Sequence, residues 1–229
     1  MEITSIKKIG SKKKMIKLLQ GDCLEIMKNI DDKSIDISFT SPPYNRKRND
    51  KYAHYNDCMN NYFEFLCRFT NELLRLTKRH VIINLQANYY NRSDVYRFFG
   101  EYSKKIQNII IWEKSNPLPA SSLNITNAYE FFVVLGDTPL KSNTTYTKNH
   151  ITTSVNSYMT KEHKAVMKYE VAEWFITKFT KENDLILDCF MGLGTTGIAS
   201  VKNNRQFFGI ELNKTYFDVA KERIENENI

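Results

Sequence analysis

The 229-residue chain is predicted to fold as an α/β domain on a mainly parallel twisted sheet with helices on both faces. Three observations support this. Short β-branched apolar runs alternate with amphipathic stretches from residue 15 onward. Several of those runs, such as Val81-Ile82-Ile83-Asn84-Leu85, are apolar but for a single residue, as strands covered on both faces are. Near the C-terminal end an apolar run passes through a glycine-rich turn into a helix start.

In chain order, residues 1–14 hold Lys7, Lys8, Lys12, Lys13 and Lys14 and read as a flexible basic arm, leaving 15–229 as one domain. Met15–Leu19 reads as a strand ending at Gly21-Asp22, and Cys23–Asn29 as a short helix with Leu24 and Met27 on one face. Ile35–Phe39 is the next strand. Residues 45–61 are polar, basic, rich in tyrosine and without period, which marks a long loop. Tyr62–Lys78 repeats Phe65, Phe69, Leu73 and Leu76 at helical spacing, and these are core positions rather than ligands. Strand Val81–Leu85, a helix over 92–103 and strand Ile106–Trp112 follow, then a loop over 113–128 and strand Tyr129–Leu135. Residues 136–160 have few apolar anchors and read as an inserted surface segment or a partly disordered one. Lys168–Thr180 is a helix with Val171, Trp174, Phe175 and Ile176 inward. Strand 185–188, helix 195–203, strand 206–210 and helix 213–226 complete the pattern.

Lysine plus arginine (33) exceed aspartate plus glutamate (26), a balance of +7 that suits a polyanionic partner without identifying one. Cys23, Cys58, Cys67 and Cys189 form no Cys-x-x-Cys pair, and the four histidines do not fall at metal-ligand spacing with them, so no metal is expected. The start lacks the apolar region of a signal peptide and no apolar run reaches about 18 residues. A cytoplasmic protein with no membrane partner is expected.

Two stretches carry chemistry. Thr40-Ser41-Pro42-Pro43-Tyr44-Asn45 stops a strand at two prolines, each of which locks φ and removes a backbone donor. The product is a stiff shelf with a hydroxyl, a carbonyl and a ring, suited to a flat heterocycle with an exocyclic amine; a plain strand followed by a turn reads equally well. The second stretch, Asp188-Cys189-Phe190-Met191-Gly192-Leu193-Gly194-Thr195-Thr196-Gly197, is a glycine turn between strand and helix, and the next strand ends in Glu211. Glycines admit a ligand close to the backbone, and an acid there can hold a ribose diol. Gly192-x-Gly194-x-x-Gly197 also fits the dinucleotide fingerprint. After that turn, however, only one strand and one helix remain, which favours a single adenosyl group over a dinucleotide.

Shelf first and glycine loop last, the chain resembles the permuted β group of S-adenosylmethionine-dependent DNA amino-methyltransferases. The resemblance rests on Ser41-Pro42-Pro43-Tyr44, Asp188 to Thr196, Glu211, Gly21-Asp22 and Trp112-x-Lys114. His163-Lys164-Ala165 matches that family's His-Pro-Ala only in part. The resemblance implies a Rossmann-like methyltransferase fold with permuted motif order, and duplex DNA as substrate. It implies that the target base is flipped onto the shelf, where Tyr44 stacks on it and the Ser41 hydroxyl and Pro42 carbonyl accept from its amine, with Pro43 keeping the shelf stiff. Asp22, Asp188, Phe190, Gly192, Gly194, Thr195, Thr196, Glu211 and His163 are then the S-adenosyl-L-methionine contacts, the product being S-adenosyl-L-homocysteine. Asp188 either meets the methionine amino group or fixes the glycine turn, and Asn45 either orients the shelf or caps the turn. Arg46, Lys47, Arg48 and Lys51 are candidate phosphate contacts, and 45–61 with about 113–160 the target-recognition loops. In this family a serine at the first shelf position more often goes with cytosine N4, and an aspartate or asparagine more often with adenine. A partial rationale is that a neutral hydroxyl can donate to the ring nitrogen beside the amine. An adenine N6 enzyme of the same group is the alternative; a nicotinamide-dependent oxidoreductase and a non-catalytic nucleic-acid-binding module are rivals from other classes. A restriction-modification system with a cognate endonuclease, and a homodimer, stay open.

Overall fold

Two buried apolar layers lie on either side of one mixed sheet. The computed structural model describes residues 3–9, 14–46, 58–117, 125–154 and 166–227. Among the described residues there are nine strands and six helices. The strands are β1 (Ile3–Ile9), β2 (Lys14–Gln20), β3 (Ile35–Thr40), β4 (Thr77–Leu85), β5 (Ile106–Lys114), β6 (Tyr129–Gly136), β7 (His150–Thr153), β8 (Leu185–Asp188) and β9 (Gln206–Glu211). The helices are α1 (Cys23–Met27), α2 (Tyr62–Leu76), α3 (Arg92–Glu101), α4 (Tyr169–Phe179), α5 (Thr195–Lys202) and α6 (Lys214–Asn226). The strands lie in the order β1-β2-β9-β8-β3-β4-β6-β5-β7. The run from β2 through β9, β8 and β3 to β4 is parallel, and β6 pairs antiparallel with both β4 and β5.

Alternation along the strands assigns the two faces, with a register shift between Ile35 and Ile37 setting Ile35 on the face opposite to Ile37. Ile37, Phe39, Ile82, Phe132, Ile186 and Phe207 point to the side covered by α4, α5 and α6. Ile35, Val81, Ile83, Phe131, Val133, Leu187 and Phe208 point to the side covered by α1, α2 and α3. A one-residue slip in any of these strands exchanges the two sets, so both cores hold the register. Helix α2 buries Tyr62, Leu66, Phe69, Leu73 and Leu76, spaced four and three apart, while Phe65 packs at its margin. In α4 the buried set is Val171, Ala172, Phe175, Ile176 and Phe179, with Trp174 at its edge.

The structure departs from the sequence reading in three places. Ile3–Ile9, expected within a loose arm, pairs antiparallel with β2. His150–Thr153, inside the polar stretch 136–160, pairs parallel with β5 from Ile111 to Lys114. Helix α2 runs straight into β4 at Thr77, where the sequence extends the helix to Lys78; the extended backbone of Thr77 ends the helix there. Among the described residues no helix is long and apolar enough to cross a membrane.

Candidate active site

Strands β3 and β8 are parallel neighbours, with Ile37 opposite Ile186 and Ser38 opposite Leu187. From this central pair the chain moves outward in opposite directions, from β3 to β4 by way of α2 and from β8 to β9 by way of α5. Such a point opens a crevice at the carboxyl ends of the strands, where ligands bind in α/β sheets. The Ser41–Tyr44 shelf leaves β3 there and the Asp188–Gly194 turn leaves β8, so the sheet brings together the two stretches singled out in the sequence. A direct bond joins them: the Thr40 hydroxyl donates to Asp188 Oδ1 at 2.7 Å, both groups buried.

Asp188 also accepts from the Phe190 amide at 3.1 Å. Burial pushes its carboxyl up from the ordinary range, while the Thr40 and Thr196 hydroxyls and the Phe190 amide oppose the shift. These bonds tie Asp188 to the turn, one of the two roles left open for it. Gly192 and Gly194 sit at φ 54 and φ 80, left-handed values that favour glycine, and Gly194 begins α5. A Cβ on Gly194 would come within 2.9 Å of Ile224 Cδ1, so it also serves helix packing. Gly197, third in the dinucleotide-like pattern, is enclosed in the same way: its Cβ would lie 2.5 Å from Ile224 Cδ1 and 2.7 Å from Phe207 Cε1. That glycine is explained by close packing of α5 on α6 and β9. Thr195 and Thr196 are buried in the first turn of α5, and Phe190 packs edge-on against Phe69 with centroids 5.1 Å apart.

Glu211, at the end of β9, accepts from the Gly192 amide at 2.7 Å and the Asn213 amide at 2.8 Å. Burial raises its carboxyl, and those amides hold it down. The acid thus reaches across the crevice to the glycine turn, and an acceptor so placed beside two left-handed glycines fits an adenosyl group bearing a ribose diol. Asp22 is exposed and caps α1, accepting from the Leu24 amide at 2.8 Å. The Gly21 amide bonds the Glu211 carbonyl at 2.9 Å, so Asp22 stands at the same end of the sheet. His163 lies outside the described residues.

The shelf is held on all sides. Tyr62 donates its hydroxyl to the Pro43 carbonyl at 2.8 Å, and the amides of Asn88 and Asn91 donate to the Tyr44 carbonyl at 3.0 and 2.7 Å. Asn45 adopts φ 49 and grips Met59 through two backbone bonds, so its side chain closes the ends of the 46–58 loop. Arg46 lies over the Tyr44 ring, 5.4 Å from its centroid, and bonds Gln86 Oε1 at 2.6 Å. Lys47, Arg48 and Lys51 lie outside the described residues.

Beneath the shelf is a polar network that the sequence reading missed. The Tyr44 hydroxyl donates to Glu130 Oε2 at 2.9 Å and lies 3.1 Å from Ser41 Oγ. Glu130, 6% exposed, forms an ion pair with Lys114 and accepts from Asn84 Nδ2 at 2.9 Å. Asn84 Oδ1 is buried without a hydrogen-bond partner among the described residues. An orphaned oxygen of that kind costs about 1–3 kcal/mol, so the amide is oriented for what its NH2 does for Glu130. Burial, with the Glu130 carboxylate alongside, holds the Tyr44 hydroxyl protonated well above the usual tyrosine range. The sequence signal was present: Glu130 is a lone acid in the otherwise apolar strand Tyr129–Gly136.

A sheet with a parallel core, a Pro-Pro shelf and a glycine turn on adjoining strands defines a Rossmann-like methyltransferase. The pattern of the DNA methylase family, N6 and N4 type, matches residues 35–222, and the chain belongs to that family. It is 27% identical to the Type II methyltransferase M.HinfI of Haemophilus influenzae, over 90% of this chain and 67% of that one. With M2.MboI of Moraxella bovis the identity is 27%, over 92% and 88%. With M.MwoI of Methanothermobacter wolfeii it is 30%, and the chain spans 34% of that protein. Among solved structures, the cytosine-N4-specific PvuII DNA methyltransferase superposes with a TM-score of 0.75 at 18% identity, covering 99% of this chain and 95% of the other. The M1.HpyAVI–SAM complex gives 0.64 at 25% identity, covering 91% and 100%.

Proposed function

We propose that the protein transfers a methyl group from S-adenosyl-L-methionine to the exocyclic amino nitrogen of a base extruded from duplex DNA, with cytosine N4 as the target. The observation that carries this is the Thr40–Asp188 bond, which fixes the amine-facing shelf and the glycine turn at one crevice. The solved relative whose title names a SAM complex supports the cofactor. Serine at the first shelf position, and the structural likeness to a cytosine-N4-specific enzyme, support the base.

S-adenosyl-L-methionine, when bound, supplies the electrophilic methyl. Glu211 would hold the ribose hydroxyls, Gly192 and Gly194 would let it approach the backbone, Phe190, Thr195 and Thr196 would line its site, and Asp22 would face the adenine edge. Extruding a base costs a few kcal/mol, and a stacked ring offsets about 1–3 kcal/mol of that. With Arg46 over one face of Tyr44, the base would take the other. The Ser41 hydroxyl and Pro42 carbonyl would accept the two amino hydrogens, drawing the nitrogen lone pair out of conjugation with the ring. The protein's contribution is then mainly positioning. The loop over 45–61 and the segments on either side of β6 within about 113–160 would read the flanking DNA.

The test is tritiated methyl transfer from S-adenosyl-L-methionine to DNA, followed by nucleoside analysis. N4-methylcytosine is expected, and N6-methyladenine alone would reassign the base while keeping the reaction. Tyr44→Ala is expected to abolish transfer and keep cofactor binding. Binding of a nicotinamide cofactor in place of S-adenosyl-L-methionine would overturn the reading.

A further inference from the structure

We propose that Glu130 is a positioning residue that acts through Tyr44 to turn the Ser41 hydroxyl inward, making the shelf a pure acceptor for the target amine. The inference rests on the methyl-transfer reading above.

The argument follows the protons. Among the described residues, the side chains bonded to the Glu130 carboxylate are all donors: Lys114 Nζ at Oε1, and both Asn84 Nδ2 and the Tyr44 hydroxyl at Oε2, the last two at 2.9 Å. A carboxylate facing an ammonium has no proton to give, so the single phenolic proton is committed to Glu130. The phenol oxygen can then only accept from Ser41, 3.1 Å distant, and the serine proton is drawn toward Tyr44. What Ser41 turns to the crevice is lone pairs. An exocyclic amine brings N–H bonds and is met by an acceptor; a ring nitrogen brings a lone pair and is refused at the same oxygen. The donation from Ser41 to the ring nitrogen offered in the sequence rationale for cytosine is therefore ruled out on this proposal, and any preference for cytosine has to come from other contacts.

The fold builds this polarity from strand register. Trp112 faces Glu130 across the β5–β6 ladder, and the Lys114 amide bonds the Ala128 carbonyl at 2.7 Å. This places Lys114 beside Glu130. Asn84 comes from β4 on the other side of β6, with Asn84 opposite Phe132. Three neighbouring strands thus contribute the acid and two of its donors, and β3 contributes the shelf that the acid orients.

The experiment is steady-state methyl transfer by the full chain, with separate measurement of cofactor affinity and thermal stability. Glu130→Gln offers Tyr44 an amide NH2 and can reverse the chain of donors. It is expected to lower kcat about 10- to 100-fold while cofactor affinity is unchanged. Tyr44→Phe keeps the ring and breaks the chain, and is expected to lose a similar factor. Glu130→Gln added to Tyr44→Phe is expected to cost nothing more, because both act along one path. If Glu130→Gln does not fold, Ser41→Ala and Tyr44→Phe probe the same path without disturbing the ion pair. The Tyr44→Phe loss should then vanish in the Ser41→Ala background. Losses that multiply in either pair, or a Glu130→Gln enzyme with full kcat, would overturn the proposal. Absence of methyl transfer by the unaltered chain would instead sink the functional reading itself.

Discussion

Thr40→Val tests the joint between the two halves of the site. It exchanges a buried hydroxyl for a methyl of similar size and deletes the 2.7 Å bond to Asp188. A hydrogen bond to a charged group contributes about 1.5–3 kcal/mol. At about 2–4 °C per kcal/mol for a domain of this size, Tm should fall by roughly 3–12 °C. The sign with pH follows from the direction of the Asp188 shift. Burial raises its carboxyl, so the folded chain keeps the proton to higher pH than the unfolded one, and stability declines as pH rises through that raised value. The Thr40 hydroxyl opposes the shift by stabilising the ionised form, so its removal steepens the decline. The Thr40→Val penalty should therefore be larger at a pH above that raised value than at one below it. Because Asp188 also holds the Phe190 amide, cofactor affinity should weaken along with stability. Thermal melts at the two pH values and a cofactor titration measure all three. Equal penalties at both pH values, or unchanged Tm and affinity, would refute the view that this bond fixes the turn.

Three further outcomes follow from the same geometry. Burial raises the Glu211 carboxyl, so cofactor binding should strengthen as pH rises through that raised value; Glu211→Gln should remove the pH dependence and weaken binding about 10- to 100-fold by calorimetry. Gly197→Ala puts a Cβ 2.5 Å from Ile224 Cδ1 and 2.7 Å from Phe207 Cε1, so it should cost about 1–3 kcal/mol in chemical denaturation while the folded fraction keeps its cofactor affinity. Asn45→Ala removes both bonds to Met59 and a side chain that tolerates φ 49, so KM for DNA should rise with cofactor affinity unchanged.

The sequence showed most clearly what depends on local pattern. Strands such as Ile35–Thr40 and Leu185–Asp188 are short apolar runs ended by residues that cannot continue them, and α2 repeats its apolar side chains at helical spacing. The meeting of shelf and glycine turn was also legible, because motif order left one arrangement for the sheet. Strand β7 was not: three of its four residues are polar, and what holds it is pairing with β5, packing of Ile151 on the core and the Trp112 Nε1 bond to Thr153 Oγ1 at 2.8 Å. Asn84 and Thr40 were illegible for a related reason, and of Glu130 only its oddity as an acid in an apolar strand could be read. Each has a partner 46 to 148 positions away, which register alone brings near, although Lys114 lies only 16 positions from Glu130. Local spacing carries no trace of such bonds.

The position of β8 and β9 has a consequence for biosynthesis. They fill the gap between β2 and β3, yet among the described strands they follow all the others in the chain. Until they emerge, the flank of β3 that later receives β8 is an open apolar ladder, and the β1–β2 hairpin has no neighbour. Exposed edges of that kind recruit other chains. A nascent chain halted before Leu185 should therefore be prone to self-association, and pairing of β8 with β3 closes that edge.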